Sequence, residues 1–360
     1  MHVLTGHLVA IKSFNKKKIN LDNSLKLNNN ILENNLKKAR ILYETNILKK
    51  LNHKNIVQIY ETFETFDYLL IIMEYISCGD LISYVRKRSK LPEIIAKYIF
   101  KQLIEGIEYI HSNNIVHRDI KLDNILIDIN SNIKICDFGV SKVVDDKNLI
   151  YDKCGTPSYI APEILNNNGY EPFPVDIWSA GVVLYTMLTG TLPFKANNIK
   201  DLHKLIIKGK YLSIEDYNKN CLSSFSCYSS LNNNNTIYKN SIKISNDAEN
   251  LIKLMLEVDP KKRITISQIL NHPWVKSLDN ISFNKIKLFT DVEIKIFSNS
   301  KSDFRMLSKA KEIHENFTLK YLDTLNEKKN DNVNTQSCVL APFNSTINIK
   351  TLKDLKRIFM

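Results

Sequence analysis

No CxxC pair and no His/Cys cluster at metal-ligand spacing occurs in this 360-residue sequence, although six cysteines stand at positions 78, 136, 154, 221, 227 and 338. That pattern argues against zinc and against a disulfide framework, and for reduced thiols inside a cell. No window approaches the apolar length of a membrane span, and the start, MHVLTGHLVAIK, lacks a charged segment followed by a long apolar run. A soluble intracellular protein is expected, cytoplasmic, with the nucleus open to it. No loop of spaced acids around a central glycine appears, so direct calcium control is not expected. Nor are basic residues interleaved with aromatics: Lys and Arg number 50 against 38 acids, a net charge of +12, but the lysines are scattered among asparagines. Neither nucleic acid nor a membrane is therefore an expected partner.

What is present is a hydrophobic content of 44%, enough for a full core. Leu8 to Ile11 is a short β-like run, followed by an Asn/Lys-rich stretch, 15–35, that reads as an insertion with little to bury. Ile41, Leu42, Thr45, Leu48 and Leu51 recur at helical spacing until Asn52-His53-Lys54-Asn55 breaks the pattern. Ile56–Phe63 and Tyr68–Tyr75 read as two strands. Beyond Gly79 the chain turns helical, with long apolar segments at Leu91–Ser112 and Asp176–Gly190 and shorter helices at Asp247–Glu257 and Ile266–Asn271. A Ser/Asn-rich insertion at about 215–243 interrupts this part, and a weakly patterned tail occupies 276–360.

The stretch HRDIKLDN, His117 to Asn124, carries the chemistry. Phosphoryl transfer needs a group to orient the attacking hydroxyl, ligands for divalent cations, and a lysine for the nucleotide tail. Asp119 is the candidate base, and Lys121 can reach the transferred phosphate. Asn124 and the Asp137 of CDFG can ligate Mg²⁺, and Lys12 of VAIK can pair the α/β phosphates. Oxygen ligands of this kind suit magnesium.

VAIK, HRDIKLDN, DFG and APE, in this order from Lys12 to Glu163, resemble the eukaryotic protein kinase signature set. The likeness runs from about Thr5 to Trp274. It implies an α+β, bilobal protein kinase fold: a partial β-rich N-lobe over 1–76 and a larger, mainly helical C-lobe over 77–275. It implies ATP and Mg²⁺ as cofactors, with Lys12, Glu44, Ala10, Glu74, Ile76 and Leu126 around the nucleotide and Glu44 paired with Lys12. It further implies that Asp176 anchors the catalytic loop, that Arg263 partners Glu163, and that His117 packs as a structural histidine.

Lys121 and Thr156 match the serine/threonine pattern, so protein substrates with Ser/Thr acceptors are expected. Asp80 and Asp123 fall where basophilic kinases receive an arginine of the substrate by a charge-assisted contact, while Asp80 also reads as the cap of a helix starting at Leu81. Arg118 precedes the base, the arrangement that meets a phosphorylated activation loop, but the usual phosphosite position holds Asp152. Activity without loop phosphorylation is thus expected. With GVVLYTMLTGTLPF and HPWV, the domain resembles the calcium/calmodulin-dependent and AMP-activated kinase group.

One departure matters. The only glycine ahead of Lys12 is Gly6, so a GxGxxGxV loop does not precede the strand lysine. The first strand and its glycines are absent, and a truncated start is the expected reason, with a kinase-like binding or scaffold protein of weak catalysis as the alternative. In the tail, SCVLAPFNS, Ser337 to Ser345, is an apolar patch expected to fold back on the kinase domain.

Overall fold

Alternation of apolar and polar residues sets up the small sheet, and three strands form it in the computed structural model: β1 (Val9–Asn15), β2 (Ile59–Glu64) and β3 (Tyr68–Glu74), with β3 in the middle. The structure describes residues 8–16, 41–66, 68–145, 148–166, 168–217, 244–278, 287–299, 339–340 and 347–348. The stretches 17–35 and 218–243, read above as parts of the two insertions, lie outside them. Two units divide the chain: one of Met1–Phe14, Glu61–Tyr75 and Phe289–Met360, the other of Asn15–Tyr60 and Ile76–Leu288. A small sheet-bearing unit and a larger helical one are what the α+β expectation requires.

In the first unit, β3 buries Leu69 and Ile71 on alternate positions. The β2–β3 turn is closed by Thr65, whose hydroxyl accepts from Tyr68 N at 2.9 Å. Two strand limits differ from the sequence reading. β1 runs on to Asn15, which had been assigned to the insertion. β2 starts at Ile59 rather than Ile56, because the preceding β-like residues are used elsewhere: Ile56 bridges Ile135, and Val57 N donates to Ile135 O at 3.0 Å. The tail contributes α10 (Asp291–Asn299), and a short antiparallel pair of β8 (Val339–Leu340) with β9 (Ile347–Asn348). The rest of the SCVLAPFNS patch lies outside the described residues.

The second unit holds α1 (41–50), α2 (Leu81–Arg88), α3 (Glu93–Ser112), α4 (Pro162–Leu165), α5 (Pro172–Thr189), α6 (Ile199–Ile207), α7 (Asn246–Met255), α8 (Ile266–Asn271) and α9 (Pro273–Lys276). Its core is α5. Every residue from Val175 to Thr189 is buried, as befits a helix apolar on all sides. It begins at Pro172, four residues before the expected Asp176, because a proline in the first turn gives up an N–H that has no helical partner anyway. Gly190, at φ 74°, ends it in the left-handed conformation. Gly181 permits close approach of α7: a Cβ there would meet Met255 Cβ at 3.0 Å. α3 starts at Glu93, just after Pro92, and α8 is closed by a Thr265/Gln268 capping box. Two short antiparallel pairs carry the chemistry-bearing loops: β4 (Ile115–Val116) with β7 (Lys142–Val143), and the hairpin of β5 (Ile125–Ile127) with β6 (Ile133–Ile135).

Candidate active site

β4 delivers the chain into the loop that begins at His117, and α5 delivers Asp176 beneath it. The Asp176 carboxylate, fully buried, accepts from His117 N at 2.9 Å and from Arg118 N at 2.8 Å, and shares a hydrogen bond of 2.9 Å with His111 Nε2. Burial pushes this carboxyl up, but His111, His117 and the backbone N–H outweigh it and hold it below the usual carboxylate value. Arg118 takes φ 66°, a left-handed turn that two buried amide bonds sustain. His117 has both ring nitrogens engaged: Nδ1 accepts from Asp119 N at 3.3 Å and Nε2 faces Cys136 O at 3.2 Å. Its ring packs edge-on against Phe138, and burial lowers its pKa, so the side chain is neutral and fixed.

Asp119 stands in a ring of donors. Its Oδ1 accepts from Thr156 N at 3.0 Å and from Thr156 Oγ1 at 2.7 Å, and its Oδ2 meets Lys121 Nζ at 2.7 Å and Asn124 Nδ2 at 3.0 Å. Lys121 Nζ also donates to Thr156 Oγ1 at 2.8 Å. The arrangement grips one alcohol oxygen between a carboxylate and an ammonium. Gly155 makes it possible. At φ 110° it turns Thr156 toward Asp119, and a Cβ there would lie 2.8 Å from Arg118 O.

Asn124, buried, closes a short helical turn, and its carbonyl accepts from Cys136 N at 2.9 Å, which ties it to the residue before Asp137. Asp137 takes φ 62°. A Cβ on Gly139 would lie 3.3 Å from Asp137 Oδ1 and 3.7 Å from Glu44 Oε2, so both carboxylates border the same glycine. Glu44 is buried on α1.

The loop between Asp137 and Glu163 is fastened by a second cluster. Arg118 Nη1 donates to Asp152 Oδ2, while Lys142 Nζ donates to Asp152 Oδ1 at 2.9 Å. Arg118 Nε reaches Val140 O at 2.7 Å, and Tyr170 OH donates to Asp152 O at 3.0 Å. Burial raises the Asp152 carboxyl, but the hydrogen bonds from Arg118 and Lys142 override it and hold the group down at about 2. Beyond the loop, Glu163 and Arg263 meet through two parallel bonds of 2.6 and 2.9 Å.

Of the remaining sequence candidates, Ala10 and Lys12 alternate on β1 and so share a face, and Glu74 ends β3, all in the first unit. Ile76 and Leu126 belong to the second unit and are half-buried. Asp80 caps α2, its Oδ1 accepting from Ser83 N at 2.9 Å, and its backbone bridges Leu126. Asp123 is exposed on the turn before Asn124. Sequence reasoning missed Lys142, Tyr170 and His111. No motif flags them; the β4–β7 pairing and the Ile150–Tyr170 bridge that bring the first two to Asp152 are not local.

The protein kinase domain family matches residues 1–275. The chain is 39% identical over 274 residues to the SNF1-related protein kinase catalytic subunit alpha KIN12 of Arabidopsis thaliana, covering 76% of this chain and 47% of that protein. It is 37% identical over 271 residues to NUAK family SNF1-like kinase 1 of Mus musculus, covering 75% of this chain and 35% of the relative. With the serine/threonine protein kinase OSK3 of Oryza sativa subsp. indica it shares 37% over 273 residues, 76% of this chain and 46% of the relative. The chain belongs to the protein kinase family, within the SNF1-related and AMP-activated-kinase-related serine/threonine group. It spans less than half the length of these relatives.

Proposed function

We propose that this chain is an ATP-dependent serine/threonine protein kinase that transfers the γ-phosphoryl group to Ser or Thr in basic-context protein substrates. The observation that carries the reading is the Asp119–Lys121–Thr156 triangle, in which one alcohol oxygen lies 2.7 Å from the carboxylate and 2.8 Å from the ammonium. An acceptor hydroxyl has the same chemistry as that threonine. Asp119 orients it and takes its proton, and Lys121 neutralises charge on the transferred group.

The donor set fits magnesium. Asn124 spends its amide N–H on Asp119 and offers Oδ1, and Asp137 offers a carboxylate beside Gly139, a hard all-oxygen pair. The cation, when bound, supplies charge neutralisation at the β- and γ-phosphates. Lys12 is the candidate for the nucleotide tail, and Ala10, Glu74, Ile76 and Leu126 are the candidates for the base. Asp123 and the second oxygen of Asp80 receive a basic residue of the substrate. Asp152, clamped by Arg118 and Lys142, takes the place of a loop phosphate, so the enzyme is active unphosphorylated. The proposed location is the cytoplasm, with the nucleus open to it.

The test is transfer of labelled γ-phosphate to a Ser peptide carrying an arginine three residues before the acceptor. Transfer is expected from chain expressed without other kinases, reduced when the arginine becomes alanine and lost in Asp119→Asn. Transfer that survives Asp119→Asn, or none from a folded wild-type chain, overturns the proposal.

A further inference from the structure

One peptide unit of the tail is held by side chains of the second unit. Leu288 N donates to Ser131 Oγ at 3.0 Å, and Leu288 O accepts from Tyr84 OH at 2.7 Å and from Arg88 Nη2 at 3.5 Å. The leucine itself is 3% exposed. The groups that hold it are set in advance. Tyr84 and Arg88 stand one turn apart on α2, with the guanidinium 3.9 Å from the centre of the tyrosine ring. Ser131 is buried in the β5–β6 turn at φ 68°, fixed by Asp128 Oδ1, which accepts from Asn130 N and Asn132 N at 2.8 Å each, and by its own carbonyl, which accepts from Gln102 Nε2 at 3.3 Å. A surface that satisfies both the N–H and the C=O of one residue while burying its side chain recognises a leucine-anchored segment by its backbone as well as its side chain.

The location gives that contact a role. α2 and the β5–β6 hairpin are already joined by the bridge between Asp80 and Leu126. Tyr84 lies one turn beyond Asp80, its N–H donating to Asp80 O at 3.2 Å, and Ser131 lies in the turn of the hairpin that contains Leu126. Leu288 makes another link between the same two elements. α2 already buries Leu81 and Val85 against its surroundings; the link at Leu288 adds a hold further along the helix, on Tyr84 and Arg88, and so restrains the helix that Asp80 caps.

We propose that Tyr84, Arg88 and Ser131 form a docking site for a leucine-anchored segment, that its occupant is Leu288 of this same chain, and that docking positions Asp80 for the substrate. The last clause rests on the kinase reading above. Leu288, Tyr84 and Ser131 are thus positioning residues, remote from the phosphoryl transfer itself.

Two measurements on the full chain test this. In Leu288→Asp, amide hydrogen exchange over 81–88 is expected to speed up by at least about tenfold, which the loss of one to two net hydrogen bonds alone would give. Tyr84→Phe, which keeps the ring and the fold, should give a smaller rise in exchange. In phosphate transfer, Leu288→Asp should raise KM about three- to tenfold for the arginine-containing peptide, with kcat within about twofold and little change for its alanine counterpart. Unchanged exchange in both variants overturns the docking site. Faster exchange with KM raised equally for both peptides overturns the positioning role and leaves the docking site standing. No transfer from the unmutated chain sinks the kinase reading and with it the positioning clause, while exchange still decides the docking.

Discussion

Glu163 and Arg263 offer the cleanest test of how the region around the loop is held. The Arg263 side chain is fully buried and that of Glu163 is 9% exposed, and their two hydrogen bonds are 2.6 and 2.9 Å long. Arg263 also donates to Pro174 O at 2.8 Å and Glu257 O at 2.9 Å, and lies 5.1 Å from the Trp178 ring centre. Glu163→Ala would leave a guanidinium buried without its counter-charge, a change that costs about 3–5 kcal/mol. The carbonyls that remain put this site at the low end, about 3 kcal/mol. For a domain of this size each kcal/mol moves the unfolding midpoint by about 2–4 °C, so a fall of about 6–12 °C is expected. Arg263→Met should cost as much, because it strands the carboxylate instead. The double variant Glu163→Leu/Arg263→Met removes both charges, and exchanging a buried pair for apolar groups is often close to neutral. It should therefore cost no more than either single, at least about 3 kcal/mol less than their sum. Calorimetry of the four proteins reads this directly. A midpoint shift under about 2 °C for Glu163→Ala, or a double variant that costs the full sum, would refute the reasoning.

Two further outcomes follow from the loop. Asp152→Asn should lower kcat about fivefold and stability by about 1 kcal/mol, since Asp152 is half-exposed and solvent screens the clamp. The Asp152 carboxyl is depressed from 3.8 to about 2, so its contribution is complete above about pH 4 and fades as pH falls through about 2; urea midpoints of wild type and variant should therefore converge between those values. Gly155→Ala places a Cβ 2.8 Å from Arg118 O at φ 110°, which should cost about 1–3 kcal/mol. It should also cut phosphate transfer more than it lowers the melting temperature, because Thr156 is displaced from Asp119.

Much of this was legible wherever the cause is local. The apolar run of α5, the Asp80 cap and the compact HRDIKLDN loop depend on neighbours in sequence, and the structure places them close to where the residues alone put them. Contacts made by distant partners were harder to see. Ile56 and Val57 have strand character, but it is spent on Ile135 rather than on the small sheet. Asp152 was matched with Arg118 from the motif order, whereas Lys142 and Tyr170, which hold the same carboxylate and its backbone, carry no mark in sequence. Leu288 lies in the weakly patterned tail, and nothing local in the sequence pairs it with Tyr84 and Ser131, whose hydroxyls hold its backbone.

Arg118 has its backbone bolted to buried Asp176 while its side chain grips the exposed Asp152. Asp119 is the next residue along. A disturbance at the loop surface thus needs no chain of packed side chains to reach the reactive carboxylate, only the covalent span of a single amino acid. Such a lever is short and stiff, and it responds at the pace of a side chain rather than of a moving lobe.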